Sequence, residues 1–135
     1  MEVSATYLGG VKFEAEARGH RVICDQPVAG GGADEGMTPP EYLLASLATC
    51  AGYYAVQYLK TRGLPTDELK VRVTAQKAAQ PARLTSFSIE VTAPGVDERH
   101  EAGLFRAVKA CLIHNTLTAG PDIGIVLHLA QPAHV

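Results

Sequence analysis

Apolar and polar positions alternate along the first 25 residues in short runs. Val3, Ala5 and Tyr7 alternate with their neighbours, Gly9-Gly10 follows, and Val11, Phe13, Ala15 and Ala17 then alternate with Lys12, Glu14, Glu16 and Arg18. A period of two is the mark of a half-buried strand, so this stretch predicts a hairpin with one wet face. Arg18-Gly19-His20 is a second turn signal leading into a strand at Val22-Ile23-Cys24, and Pro27 with Gly30-Gly31-Gly32 marks a loop running to about Thr38. There the period changes. Thr38-Pro39-Pro40-Glu41 offers a Thr N-cap, Pro at the first helical position and Glu at the third, the elements of a capping box. Apolar residues then run from Leu43 through Leu47, Ala51 and Tyr54 to Leu59, until Lys60, Arg62, Gly63 and Pro65 stop a long, mostly buried helix.

Strand periodicity returns at Leu69, Val71, Val73 and Ala75 and again at Phe87, Ile89 and Val91, with a turn around Gln80-Pro81 between them. Asp97 can cap a second helix, with an apolar stripe of Leu104, Val108 and Cys111, ending before Gly120-Pro121. Ile123, Ile125, Leu127 and Leu129 predict a last strand. The order, three strands, helix, two strands, helix, strand, is α+β. Short connections favour antiparallel sheets, and the two helices are the only cover for their dry faces.

Composition narrows the function classes. The 135 residues, 47% of them hydrophobic and without repeat or linker, are expected to form a single domain over 1–135. A net charge of -2 with dispersed basic residues argues against a nucleic-acid partner. The start of the chain has neither the basic region nor the apolar run of a secretory signal, and no stretch reaches the roughly 20 apolar residues of a membrane span. A cytoplasmic location and no membrane partner are therefore expected.

Of the cysteines, Cys50 and Cys111 each fall on the inner stripe of a helix, so contact between them is plausible, although free cysteine often fills a core as a small hydrophobe. If Cys50 reacts, its thiolate needs stabilising, because a free thiol has a pKa near 8.5 and burial raises it. Cys50 lies roughly 18 Å into its own helix, beyond the reach of that N-terminus. A cation is therefore expected beside it.

The segment from Gly36 to Cys50, with Pro40-Glu41-Tyr42-Leu43 followed by small residues and the cysteine, resembles the loop-to-helix signature of the OsmC/Ohr family of two-cysteine hydroperoxide-reducing proteins. The segment Ala107 to Leu117, in which Cys111 is followed after a short interval by Asn115-Thr116-Leu117, is similar to that family's second-cysteine motif. The resemblance implies an OsmC-like fold in an intertwined homodimer, its antiparallel sheets wrapped around central helices. It implies that Cys50 attacks a small organic hydroperoxide, that Cys111 resolves the sulfenic acid as a disulfide, and that an external dithiol, such as a lipoyl protein or a small thiol, restores both. It implies oxidative or osmotic stress defence, no metal and no organic cofactor. The family draws an arginine from the N-terminal sheet, for which Arg18 and Arg21 are both candidates and mid-strand Lys12 a poorer one. In the best-studied branches a glutamate stands ten residues before the first cysteine, where this chain has Pro40, and Glu41 is displaced by one residue, about 100° of helix rotation. The alternative on the same scaffold is a non-catalytic protein that binds a small molecule in an apolar interface pocket.

The remaining features carry blander readings. Cys24 matches nothing in the motifs. Cys111 and His114 form a C-x-x-H step without the further ligands of a closed zinc site. Gly30-Gly31-Gly32 lacks the context of a phosphate loop and could form a flap, and Tyr53, Tyr54 and Tyr58 are placed for core or interface.

Overall fold

The computed structural model describes residues 1–130. The described residues form two antiparallel sheets and three α-helices. β1 (Ser4–Gly9), β2 (Lys12–Ala17) and β3 (His20–Cys24) form one sheet in that order, and β4 (Lys70–Ala78) pairs with β5 (Arg83–Thr92) in the other. The β2–β3 turn is two residues long, with Arg18 at φ 53° and Gly19 at φ 83°. Positive φ at both central positions matches the right-handed twist of the strands it joins.

Register sorts the first sheet into two faces. Tyr7 pairs with Phe13, Ala15 with Val22 and Phe13 with Cys24 on the apolar one, while Glu14, Glu16 and Arg21 share the polar one. Tyr7, Phe13 and Val22 remain 59%, 42% and 46% exposed, so this sheet presents an uncovered apolar face.

Helix α1 (Pro39–Thr61) starts where its cap signals place it. The Glu41 N–H donates to Thr38 Oγ1 at 3.4 Å, and Glu41 Oε1 accepts from the Thr38 N–H at 2.9 Å. The buried stripe is Leu47, Ala51, Ala55 and Leu59, at steps of four. The helix packs against β4, α2 (Glu101–Lys109) and α3 (Leu112–Ala119). Small residues permit the close approaches. A Cβ at Gly103 would lie 2.3 Å from Tyr58 Oη, and one at Gly52 3.5 Å from Val71.

The chain departs from the sequence expectation in two places. The second helix is broken: a 3-10 turn at Glu98–His100 leads into α2, and the chain then leaves helical geometry at Cys111 (φ -56°, ψ 133°) before α3 begins. The apolar stripe continues through the break, which is why periodicity joins the two pieces. The expected last strand is the second correction. Residues 121–130 carry no regular structure, and Ile123, Ile125, Leu127 and Leu129 are 76–86% exposed. Their alternation is suited to a strand, but among the described residues no neighbouring strand pairs with them.

The loop over residues 25–37 is tightly held. Asp25 is 1% exposed, and its carboxylate accepts N–H groups from Gln26, Ala33 and Glu35 at 2.8, 3.2 and 3.1 Å. A Cβ at Gly32 or Gly36 would run into a main-chain oxygen, that of Gln26 or of Ile23, at 2.0 and 2.1 Å. The Lys12–Glu35 ion pair and the Tyr42 hydroxyl, which donates to Ile23 O at 2.5 Å, tie the loop and the first sheet to the start of α1.

Candidate functional site

Cys50 lies on α1 three residues beyond the buried Leu47 and is partly exposed, whereas Cys111 is 0% exposed at the break between α2 and α3. The break brings the second sulfur to the first. Both are free thiols, and each lies near enough to shift the acidity of the other. Cys111 is the N-cap residue of α3 and makes no side-chain cap bond. The main-chain N–H groups of Ile113 and Leu112 favour the Cys50 thiolate, and those of His114 and Ile113 the Cys111 thiolate.

These contacts separate the two acidities. Burial pushes the Cys50 thiol up, but the bond from Cys111 and the N–H groups of Ile113 and Leu112 outweigh it and hold Cys50 below the ordinary thiol value. Cys111 goes the other way, raised first by burial, then by donating its proton to Cys50 and by the charge there. The arrangement is a nucleophile with a protonated thiol beside it.

None of the groups that act on Cys50 is a cation. Arg18 sits at the tip of the β2–β3 turn. Arg21, 63% exposed, lies 3.6 Å from Glu14 and 3.7 Å from Glu16 on the polar face of the first sheet. Glu41 is engaged by Thr38, whose N–H and hydroxyl each donate to Oε1 at 2.9 Å. Those bonds hold the Glu41 carboxyl below its usual range. Lys12 is paired with Glu35. The structure thus brings Cys50 and Cys111 near one another in one chain, pairs Arg21 with Glu14 and Glu16 and Glu41 with Thr38, and leaves Arg18 at the tip of its turn.

Two open cavities, of about 540 and 500 Å³, lie along β5 and share Phe87, Ile89 and His114. α2 closes one with Leu104 and Val108; Leu43 and Leu47 of α1 wall the other, one turn short of Cys50. His114, read from the sequence only as part of a C-x-x-H step, is the polar group where the cavities meet. Tyr58 is absorbed structurally, its hydroxyl 3.2 Å from His100 Nδ1 and its ring 3.7 Å below the Arg62 guanidinium. The Gly30-Gly31-Gly32 stretch belongs to the loop pinned by Asp25 rather than to a free flap.

Sequence reasoning missed Asp25 and the start of α3. A short acidic side chain at a strand end before several glycines was a usable signal for the first. For the second the only hint was Cys111 itself, a poor helix former at the junction of two short helices.

A family model described as OsmC-like protein matches residues 31–126, a span that holds both cysteines and omits the first sheet. Among solved structures the chain is similar to a protein of Psychrobacter arcticus described as osmotic stress induced and involved in detoxification response. That match has 22% identity and a TM-score of 0.77, over 84% of this chain and 85% of that one. An OsmC-like protein from Mycoplasma pneumoniae matches at 20% identity and TM-score 0.73, over 88% and 87% of the two chains. An organic hydroperoxide resistance protein from Elizabethkingia anophelis matches at 21% and 0.65, over 89% of each. No curated protein matches the chain. At these identities the structural likeness is one of fold.

Proposed function

The chain belongs to the OsmC-like protein family, and from that premise we propose that it is a thiol-dependent peroxidase for organic hydroperoxides, serving stress defence. The observation that carries the proposal is that two free cysteines, Cys50 on α1 and Cys111 at the α2–α3 break, lie near enough to act on one another's acidity. The Cys50 thiolate attacks the terminal peroxide oxygen. An S–O bond forms, the O–O bond breaks, and the alkoxide leaves to take a proton from water. Cys111 then attacks the sulfenic sulfur, forming the disulfide and releasing water with its own proton. An external dithiol reduces the disulfide, and no metal or organic cofactor is required.

We further propose that the active form is a homodimer. The chain exposes 10427 Å², about half as much again as a folded monomer of this mass is expected to expose. The uncovered face of the first sheet and the exposed apolar positions 123–129 are the surfaces a second copy would bury. In that arrangement Arg18, at the tip of its turn, or Arg21, paired with Glu14 and Glu16, serves the partner's site by binding the leaving oxygen.

One observation favours a binding protein instead: neither cysteine lines the apolar cavities. Stopped-flow measurement of thiol loss separates the two readings. The peroxidase consumes two thiols per chain, and faster with cumene hydroperoxide than with hydrogen peroxide, because only the organic tail gains burial energy. Thiols that react with both peroxides no faster than free cysteine would leave only the binding protein.

A further inference from the structure

α2 is a short rod between two side chains that bear on α1. His100 is its N-cap residue and Cys111 follows its C-cap, so the nine-residue helix spans the interval between them. No residue of α2 is buried, and the cavity of about 540 Å³ between it and β5 leaves that side of the helix open. Among the described residues it is packing on α1 that holds the rod in place. The contact centres on Tyr58, two turns beyond Cys50 and roughly 12 Å further along α1. The Tyr58 hydroxyl lies 3.2 Å from His100 Nδ1, the two rings meet edge to face with centroids 6.1 Å apart, and the Arg62 guanidinium covers the tyrosine ring at 3.7 Å. His100 makes no side-chain cap bond to its own helix. Near the start of α2, Gly103 leaves room for the tyrosine to approach the backbone, since a Cβ there would lie 2.3 Å from Tyr58 Oη.

We propose that Tyr58, His100 and Gly103 are positioning residues for the disulfide step: they clamp one end of α2 to α1, and the rod thereby holds Cys111, at its other end, beside Cys50. This rests on the peroxidase reading and names what aligns its second step. There the Cys111 sulfur bonds to the sulfur of oxidised Cys50, and the hydroxyl leaves with the thiol proton as water. A disulfide demands sulfur atoms about 2.05 Å apart and Cα atoms within roughly 7 Å. A thiol held near that geometry acts at a far higher effective concentration than one on a loose helix. Attack on peroxide needs Cys50 alone, which α1 carries whether or not α2 is clamped, so the clamp acts on resolution and leaves the first step unaltered.

Tyr58→Phe tests the proposal with little disturbance, because it keeps the ring and removes only the hydroxyl. The readout is the equilibrium between the dithiol and the Cys50–Cys111 disulfide in buffers of reduced and oxidised dithiothreitol, followed by intact mass, which needs no peroxide. The equilibrium constant for the disulfide is expected to fall roughly threefold to tenfold, a potential raised by about 15–30 mV. Gly103→Ala, which displaces the tyrosine from the other side, is expected to move it the same way. Asp25→Asn loosens a loop outside this contact and is expected to leave the constant unchanged, because a loss of stability shared by both redox states cancels. In a single turnover with cumene hydroperoxide, Tyr58→Phe is expected to form sulfenic acid at the parent rate and to convert it to disulfide more slowly. A constant equal to the parent's in both clamp variants, or one that Asp25→Asn lowers as much, would overturn the proposal. A parent protein that forms the disulfide with dithiothreitol yet ignores peroxide would refute the peroxidase reading and leave the clamp standing, whereas one that forms no disulfide would end both.

Discussion

At the scale of single residues, two chemically identical side chains are driven apart by their surroundings. Each acts on the other, lowering the pKa of Cys50 and raising that of Cys111, and burial opposes ionisation of both. Reaction of Cys50 with peroxide is accordingly expected to rise with pH and to level off below the ordinary thiol value of about 8.5. A midpoint above 8.5 in a pH–rate profile would show that burial wins. Asp25 makes the complementary case for a carboxylate. The N–H groups of Glu35 and Gln26 lower its pKa against burial, with Ala33 and Lys12 adding to them. A depressed folded pKa means that its stabilisation is complete above the unfolded value of about 3.9 and is lost as pH falls through the lower folded value. Asp25→Asn is thus expected to lower the melting temperature by several degrees at neutral pH, with the gap to the parent protein closing in acid. The cysteines were legible as candidates because a two-motif resemblance singled them out. Asp25 was not, since its role depends on N–H groups up to ten residues away folding back onto it.

At the scale of elements, what was legible followed how local the signal was. The start of α1 is written in four consecutive residues, Thr38 to Glu41, and the cap forms there. Thr38→Ala is expected to cost about 1 kcal/mol in chemical denaturation. Glu41→Gln keeps an oxygen for the Thr38 N–H and is expected to retain most of the peroxide rate. A large loss of rate with the fold intact would assign Glu41 to the arginine instead. The α2–α3 break was hidden because a continuous apolar stripe fits one helix as well as two. The packing of α2 on α1 was hidden for another reason, since Gly103 reads as a weak helix residue until Tyr58 is seen above it. Gly103→Ala should displace that ring from His100 and destabilise the fold by about 1–3 kcal/mol.

At the scale of the whole molecule, an apolar sheet face and the apolar positions 123–129 stand exposed, and these are what the proposed dimer would bury. Alternation at Ile123, Ile125, Leu127 and Leu129 reports what the segment can do, whereas strand formation also depends on a pairing edge that local sequence does not encode. Sedimentation is expected to give about twice the chain mass of 14.3 kDa, and a glutamate at Ile125 to shift the protein toward monomer and slow peroxide reduction together. The central claim, that Cys50 is the atom peroxide oxidises and Cys111 the thiol that resolves it, is tested most directly by intact mass spectrometry of Cys111→Ser after one equivalent of cumene hydroperoxide. The account predicts a single added oxygen that dimedone captures at Cys50, where the parent protein instead loses two hydrogens to a Cys50–Cys111 disulfide. An unchanged mass in both proteins, or an oxygen that settles on Cys24, would contradict it.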